Sequence, residues 1–190
     1  LSRFCRITPE TMVLAGVSIS AMFSGATTLL QYFVDETQLA TLLFWTFGDL
    51  GGTGWDEIRK MSLTVALATF WFLLHRWDFN ALLSGRETAV SLGINIRRLV
   101  LVNMLICCYT ASSIVSKIGL VSFIGLIAPH MVRMVVGNNH IYLIPGSVLA
   151  GASLLLFGEL LSRVLLSPVV LPIGAITSFL GAPLFLYLLF

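Results

Sequence analysis

The stretch MVLAGVSISAMFSGATTLLQYFV, Met12–Val34, is 23 residues without a charge. A helix rises about 1.5 Å per residue, so such a run outreaches the roughly 30 Å hydrocarbon core of a bilayer. Five more uncharged runs follow: Met61–Leu74, Leu99–Ser116, Ile118–Val132, Ile141–Gly158 and Val164–Phe190. Met61–Leu74 is only 14 residues long, between Arg59–Lys60 and His75–Arg76, and reads either as a span or as a re-entrant or buried helix. The last run carries Pro168, Pro172 and Pro183. Each proline removes a backbone donor, so Ser167–Pro172 reads as a loop or broken turn and the span proper as Ile173–Phe190, kinked at Pro183. The sequence therefore predicts six spans.

Composition agrees. Of 190 residues, 11 are Lys or Arg and 9 are Asp or Glu, so 11% are charged, and the mean hydropathy is +0.96. Soluble domains carry roughly 25% charged residues. So few charges cannot cover a water-facing surface, and so apolar a chain is not disordered. The dispersed cations form no basic stripe, so nucleic acid is not an expected partner. Cys5, Cys107 and Cys108 form no CxxC and no disulfide framework. They read as small side chains buried in the membrane.

Basic residues between spans set the orientation. With a cytoplasmic start, Arg3, Arg6, Arg76, Arg86, Arg97, Arg98 and Arg133 lie inside, and Arg59, Lys60, Lys117 and Arg163 lie outside. Asp35, Glu36, Asp49, Asp56 and Glu57 gather in the outer loop.

Ionisable residues within a bilayer cost roughly 2.5–3.5 kcal/mol each at its centre, yet proton-driven carriers keep them. Here the runs hold only His130, read as a structural histidine at a helix end beside Arg133. That argues for a scaffold driven by something else. Gly16, Ser20 and Ser24 recur at four-residue spacing in the first span, and Gly174, Ser178 and Ala182 in the last. Such stripes serve either close helix packing or a smooth conduit wall.

The inner loop DFNALLSGRETAVSLGINIRR, Asp78–Arg98, predicts two short helices. Asn80 is expected to cap the first and Gly85 to break it; Glu87–Leu92 forms the second, ended by Gly93. Exposed Leu82, Leu83, Val90 and Leu92 with charges between them suit either docking of a soluble partner or resting at the membrane interface. The outer loop Asp35–Lys60 contains a short amphipathic helix at Glu36–Phe47, placed as a gate or rim. No HExxH, GxSxG, Walker A or GxGxxG pattern occurs, so no catalytic, cofactor or metal site is expected in this chain. Any ATP-driven step belongs to another polypeptide.

Six stretches are more specific: LAGVSISAMFSG (Leu14–Gly25), LFWTFGDLGGTGWDEI (Leu43–Ile58), SGRETAVSLGINIRR (Ser84–Arg98), IGLVSFIGLIAPHMVR (Ile118–Arg133), IPGSVLAGASLLLFGELLSRVLL (Ile144–Leu166) and LPIGAITSFLGAPLFLYLL (Leu171–Leu189). Together they resemble the FecCD-type permease subunits of iron–siderophore, haem and cobalamin ABC importers, nearly end to end. The resemblance implies an all-α integral membrane bundle, with about six of the family's roughly ten transmembrane helices, so that residues 1–190 are one C-terminal permease domain in the bacterial or archaeal cytoplasmic membrane. It implies a homodimer around a central pathway, two ATP-binding cassette subunits beneath it, and a periplasmic or lipid-anchored substrate-binding protein above it.

The family's coupling helices match Ala81–Ile96, with Leu83, Gly85, Arg86, Glu87, Leu92 and Gly93 facing the ATPase. The pathway-lining spans match Met12–Val34 and Ile173–Phe190, the two that carry Gly16, Ser20, Ser24, Gly174, Ser178 and Ala182. An outer arginine that pairs with the binding protein matches Arg163. Glu159 stands four residues before it, so the two either pair with each other or serve docking together. Many relatives have Glu where this chain has Val170, which leaves the turn to Pro172 and Gly174. An ATP-driven importer of a metal chelate, first a ferric siderophore and otherwise haem or cobalamin, is the function implied. An ion-coupled secondary carrier and a purely structural membrane subunit are the rival readings.

Overall fold

The computed structural model describes residues 9–165 and 170–189. All regular elements among them are helices: α1 Pro9–Phe33, α2 Glu36–Phe47, α3 Trp55–Leu74, α4 Arg76–Leu83, α5 Arg86–Ser91, α6 Ile96–Ile118, α7 Ile124–Val136, α8 His140–Val164 and α9 Ile173–Leu189. The chain divides between Phe44 and Trp45 into two compact units, so the boundary falls within α2.

In the first unit, α1 shows how serine and threonine are accommodated in an apolar helix. Ser18, Thr27 and Thr28 donate their hydroxyls to the carbonyls of Leu14, Phe23 and Ser24, at 2.8, 2.9 and 3.0 Å. Each side chain is satisfied within its own helix and needs no water. Val13, Val17, Phe23 and Leu30 are exposed around it, as suits a helix whose solvent is lipid.

In the second unit, consecutive long helices alternate in direction, and the contacts at their ends show it. Glu57 at the start of α3 accepts from Lys117 at the end of α6, at 2.7 Å. Ser162 near the end of α8 donates to the carbonyl of Leu171, just before α9, at 2.5 Å, and the Leu171 amide donates back to the Ser162 carbonyl at 3.1 Å. At the opposite rim Asn80 of α4, which follows α3, meets His140 at the start of α8. α9 packs on α7 and α8, which form a hairpin.

The core is small, comprising Ala68, Ala89, Ile127, Ala128, Leu143, Ile173 and Ile176 with the polar Ser162 and Thr177. Apolar stripes face outward instead: Leu63, Leu67, Phe70 and Leu74 recur down one side of α3, each about 60% exposed. Stripes of this kind are incompatible with water on that face and natural against acyl chains.

Among the described residues three helices are long and apolar enough to cross a membrane: Val13–Phe33 within α1, Ile96–Ile118 and His140–Val164. The other three predicted spans appear as α3, α7 and α9. At 13 residues, α7 is only about 20 Å long, shorter than the hydrocarbon core. The α3 helix begins at Trp55, six residues before the uncharged run starts. Its first turn holds Asp56 and Glu57, acids that favour a helix N-terminus, and Arg59 pairs with Asp56. The outer loop is therefore narrower than Asp35–Lys60 suggests.

His130 sits midway along α7 and half-buried, not at the helix end. Of the predicted break at Ser167–Pro172, Ser167, Pro168 and Val169 lie outside the described residues, while Val170, Leu171 and Pro172 are non-helical.

Glycine makes one junction possible. Gly48 and Gly119 have φ of +79° and +83°. A Cβ on Gly119 would collide with the Trp45 carbonyl oxygen, and one on Gly174 would lie 2.6 Å from the Leu120 oxygen and 2.7 Å from that of Phe47. The Asp49 amide donates to the Ile118 carbonyl at 2.9 Å across the same junction. Three chain segments thus meet backbone to backbone. Beside them Phe123, the residue before α7, holds φ +65°, and a Cβ on Gly181 would lie 2.6 Å from the Phe123 Cβ. A bulky residue in the left-handed region is strained, and Phe123 is held there by α9 pressing against it.

Candidate functional site

The α4–α5 segment is built from local rules. Gly85, at φ +115°, separates the two helices. α5 closes with two nested bonds: the Ile94 amide donates to the Ala89 carbonyl at 3.0 Å and the Gly93 amide to that of Val90 at 2.9 Å, with Gly93 at φ +83°. This glycine-terminated cap satisfies the last carbonyls. Asn95 then starts α6 by accepting from the Arg98 amide at 3.1 Å.

Ala89 is completely buried and anchors α5. Around it Leu83, Val90 and Leu92 are 55%, 57% and 66% exposed, and Arg86 and Glu87 are exposed too. The segment presents apolar side chains and charges together on a rim, a composition suited to contact with another protein. α5 begins at Arg86, one residue before the predicted start.

Asn80 does not cap its own helix. It lies inside α4, and its side chain reaches 60 residues onward to the start of α8. Its Oδ1 accepts from the His140 amide at 2.8 Å and lies 2.9 Å from His140 Nδ1, and its Nδ2 donates to Asn139 Oδ1 at 2.9 Å. Asn139 Oδ1 also accepts from the Ile141 amide at 3.0 Å. The correction has a simple cause: the N-terminus of α8 offers unsatisfied amides, while the first turn of α4 directly continues the chain from α3. The Phe79 ring packs beside His140, with centroids 5.5 Å apart.

At the other rim Arg163 donates to Glu159 at 2.8 Å through Nε and 2.6 Å through Nη2, so the two residues pair with each other. Arg163 is 58% exposed even so, and Glu159 18%. The loop Asp49–Gly52 runs beside them: a Cβ on Gly51 would stand 3.6 Å from the Arg163 guanidinium, and the Gly51 amide donates to Asp49 Oδ1 at 2.7 Å. Nearby charges follow the same pattern of local pairing. The Lys117 ammonium, hydrogen-bonded to Glu57, holds that carboxyl below its usual range.

The two small-residue stripes differ. On α1, Gly16, Ser20 and Ser24 form with Val17 and Ala21 a shallow groove, and a Cβ on Gly16 would meet nothing within 4 Å. On α9, Gly174 is wedged against the backbone of Phe47 and Leu120, which is a packing role. Ser178, half-buried, donates to the Gly174 carbonyl at 2.7 Å, and Ala182 is half-buried. A cleft of about 240 Å³ lies between α7, α8 and α9, walled by Ile124, Ile127, Leu154, Phe157 and Leu184 with almost no polar surface. Among the described residues no three His, Cys, Asp or Glu side chains are grouped to hold a metal ion.

The sequence profile of the FecCD transport family matches residues 1–190. The chain belongs to the FecCD transport family. It is 48% identical over 189 residues to an ABC transporter permease protein of Methanocaldococcus jannaschii, covering 100% of this chain and 54% of that one. Identity to the hemin transport system permease protein HmuU of Yersinia pestis is 36%, over 100% of this chain and 57% of HmuU. To the vitamin B12 import system permease protein BtuC of Vibrio vulnificus it is 32%, with 100% and 57% covered. The chain thus spans about half the length of the curated relatives it matches.

Among solved structures, a metal-chelate type ABC transporter in an inward-facing conformation superposes with a TM-score of 0.89 at 32% identity, over 96% of this chain and 59% of that one. As a FecCD member with apolar spanning helices, the chain is an all-helical, multi-pass protein of the cytoplasmic membrane.

Proposed function

We propose that this FecCD chain is the C-terminal part of the permease subunit of an ATP-driven importer, moving a metal chelate inward across the cytoplasmic membrane. A ferric siderophore is the first candidate cargo, and haem or cobalamin the next. The permease works as a homodimer with two ATP-binding cassette subunits and a substrate-binding protein. The observation that carries this reading is the likeness, over nearly the whole chain, to a metal-chelate type ABC transporter. Relatives named for hemin and vitamin B12 transport support the chelate class.

In this reading the α4–α5 rim is cytoplasmic and meets the ATPase through Leu83, Gly85, Arg86, Glu87, Leu92 and Gly93. The Glu159–Arg163 rim is external and meets the binding protein. Ser20 and Ser24 on α1, and separately Ser178 and Ala182 on α9, offer weakly binding surfaces, which suits a cargo that has to be released. ATP is bound and hydrolysed by the partner, and no cofactor is assigned to this chain. Binding-protein docking and ATP binding bias the permease between inward- and outward-open states.

The test is uptake by the full-length permease reconstituted with its ATPase and binding protein, offered a ferric siderophore, haem and cobalamin in turn. ATP-dependent accumulation of one of them is expected. Uptake that persists without the ATPase subunit would make the chain an ion-coupled carrier instead.

A further inference from the structure

The Asn80–Asn139–His140 cluster fixes its own hydrogen-bond directions. Two main-chain amides, which can only donate, point at Asn80 Oδ1 and Asn139 Oδ1. Both atoms are therefore carbonyl oxygens, Asn80 Nδ2 is the donor to Asn139, and His140 Nδ1 carries a proton toward Asn80. Each amide group has one orientation that satisfies the network, so α4 meets α8 in one geometry. By contrast α5 is bounded by Gly85 and Gly93, both at positive φ, and its outer side chains are exposed.

α8 itself is continuous for 25 residues, about 37 Å, from this cluster to the turn holding Glu159 and Arg163. One continuous helix, with Pro145 inside its second turn, thus has the α4 contact at one end and the exposed ion pair at the other.

We propose that Asn80 is a positioning residue that makes α4 and α8 one mechanical body, so that displacement of the α4–α5 rim is delivered along α8 to the Glu159–Arg163 end, and the reverse. This rests on the reading of α4–α5 as the surface an ATPase contacts. The hydrogen bonds join a side chain of α4 to the first amide of α8, so pushing α4 moves the first turn of that helix and does not bend a loop. Without Asn80, side-chain packing such as Phe79 on His140 remains between the two among the described residues. The rim then shifts without carrying α8.

The experiment uses the full-length permease with its ATPase and binding protein in proteoliposomes, with Cys5, Cys107 and Cys108 replaced by serine. The readout is cargo imported per ATP hydrolysed. Asn80→Ala should lower that ratio several-fold. The pair Asn80→Cys with Asn139→Cys should be equally uncoupled when reduced. When the two thiols are bridged by a short bis-thiosulfonate reagent, the ratio should rise back toward the parent value, and reductant should reverse the gain. The bridged and reduced states are the same folded protein, so the comparison holds even if Asn80→Ala does not accumulate. Asn139→Asp keeps both acceptor roles and should match the parent.

A bridge that leaves the ratio unchanged, or that abolishes import, overturns the proposal, as does an Asn80→Ala protein with parental coupling. No ATP-dependent import by the parent overturns the proposed function and this inference together. Import by the parent without rescue by the bridge overturns the inference alone.

Discussion

Replacing Gly174 with alanine separates packing from transport within one small-residue stripe. The new Cβ would lie 2.6 Å from the Leu120 carbonyl oxygen and 2.7 Å from that of Phe47, where ordinary contact begins at 3.4 Å. Each oxygen then has to retreat by roughly 0.7–0.8 Å, and both belong to main chain in a junction tied by the Asp49–Ile118 hydrogen bond. Overpacking of this kind costs about 1–3 kcal/mol, and the better helix propensity of alanine returns at most about 1 kcal/mol. At mid-range, about 2 kcal/mol of cost less about 0.5 kcal/mol of return, the net loss is about 1.5 kcal/mol, or a factor of roughly 12 in the folded-to-unfolded ratio.

Gly16→Ala is the matched control, because its Cβ meets nothing within 4 Å. It should match the parent or exceed it by up to about 1 kcal/mol, the helix-propensity gain with no packing cost against it. Denaturant titration of the purified full-length protein in mixed micelles reads both. A Gly174→Ala midpoint equal to the parent, or an equal loss at Gly16, refutes the claim that only the α9 glycine is a packing residue.

The other expectations are brief. Glu57→Gln should lower stability at neutral pH. The depressed Glu57 carboxyl contributes above its ordinary value of 4.5 and loses that contribution as pH falls through its folded value, so the thermal-melt gap between parent and variant should close in acid. Arg163→Glu should break the pair with Glu159 and weaken binding-protein docking at least tenfold in a pull-down titration, with membrane insertion intact; unchanged docking removes the external rim from the account. Replacing Arg86 and Glu87 together by alanine should leave the permease inserted but separate ATP hydrolysis from uptake, measured as cargo per ATP; normal coupling dismisses the α4–α5 assignment.

Much of this architecture was legible in the residues because a bilayer imposes simple arithmetic. Uncharged runs became helices, and Glu36–Phe47 emerged with the predicted bounds because Gly48 ends it. The Glu159–Arg163 ion pair is one of the two readings that four-residue spacing left open, beside docking. The Asn80 network did not, because it joins residues 60 apart, and no local rule distinguishes capping one's own helix from capping another's. One signal was available: Asn139 stands immediately before α8, a common cap position, and marks that terminus as one whose free amides need acceptors. Composition likewise could not distinguish Gly174 from Gly16, since the same residue type serves an open groove and a backbone collision. Phe123 at positive φ was also unforeseeable, because the glycine that lies against it, Gly181, belongs to another helix.

The sidedness of the two rims tests the central claim most directly. In a background without native cysteines, Glu87→Cys and Arg163→Cys are each exposed to a membrane-impermeant thiol reagent in intact cells and again after permeabilisation. Labelling of position 163 from outside, with position 87 reached only after permeabilisation, is the result expected for an α4–α5 segment pressed against a cytoplasmic motor. Labelling of position 87 in intact cells would contradict it.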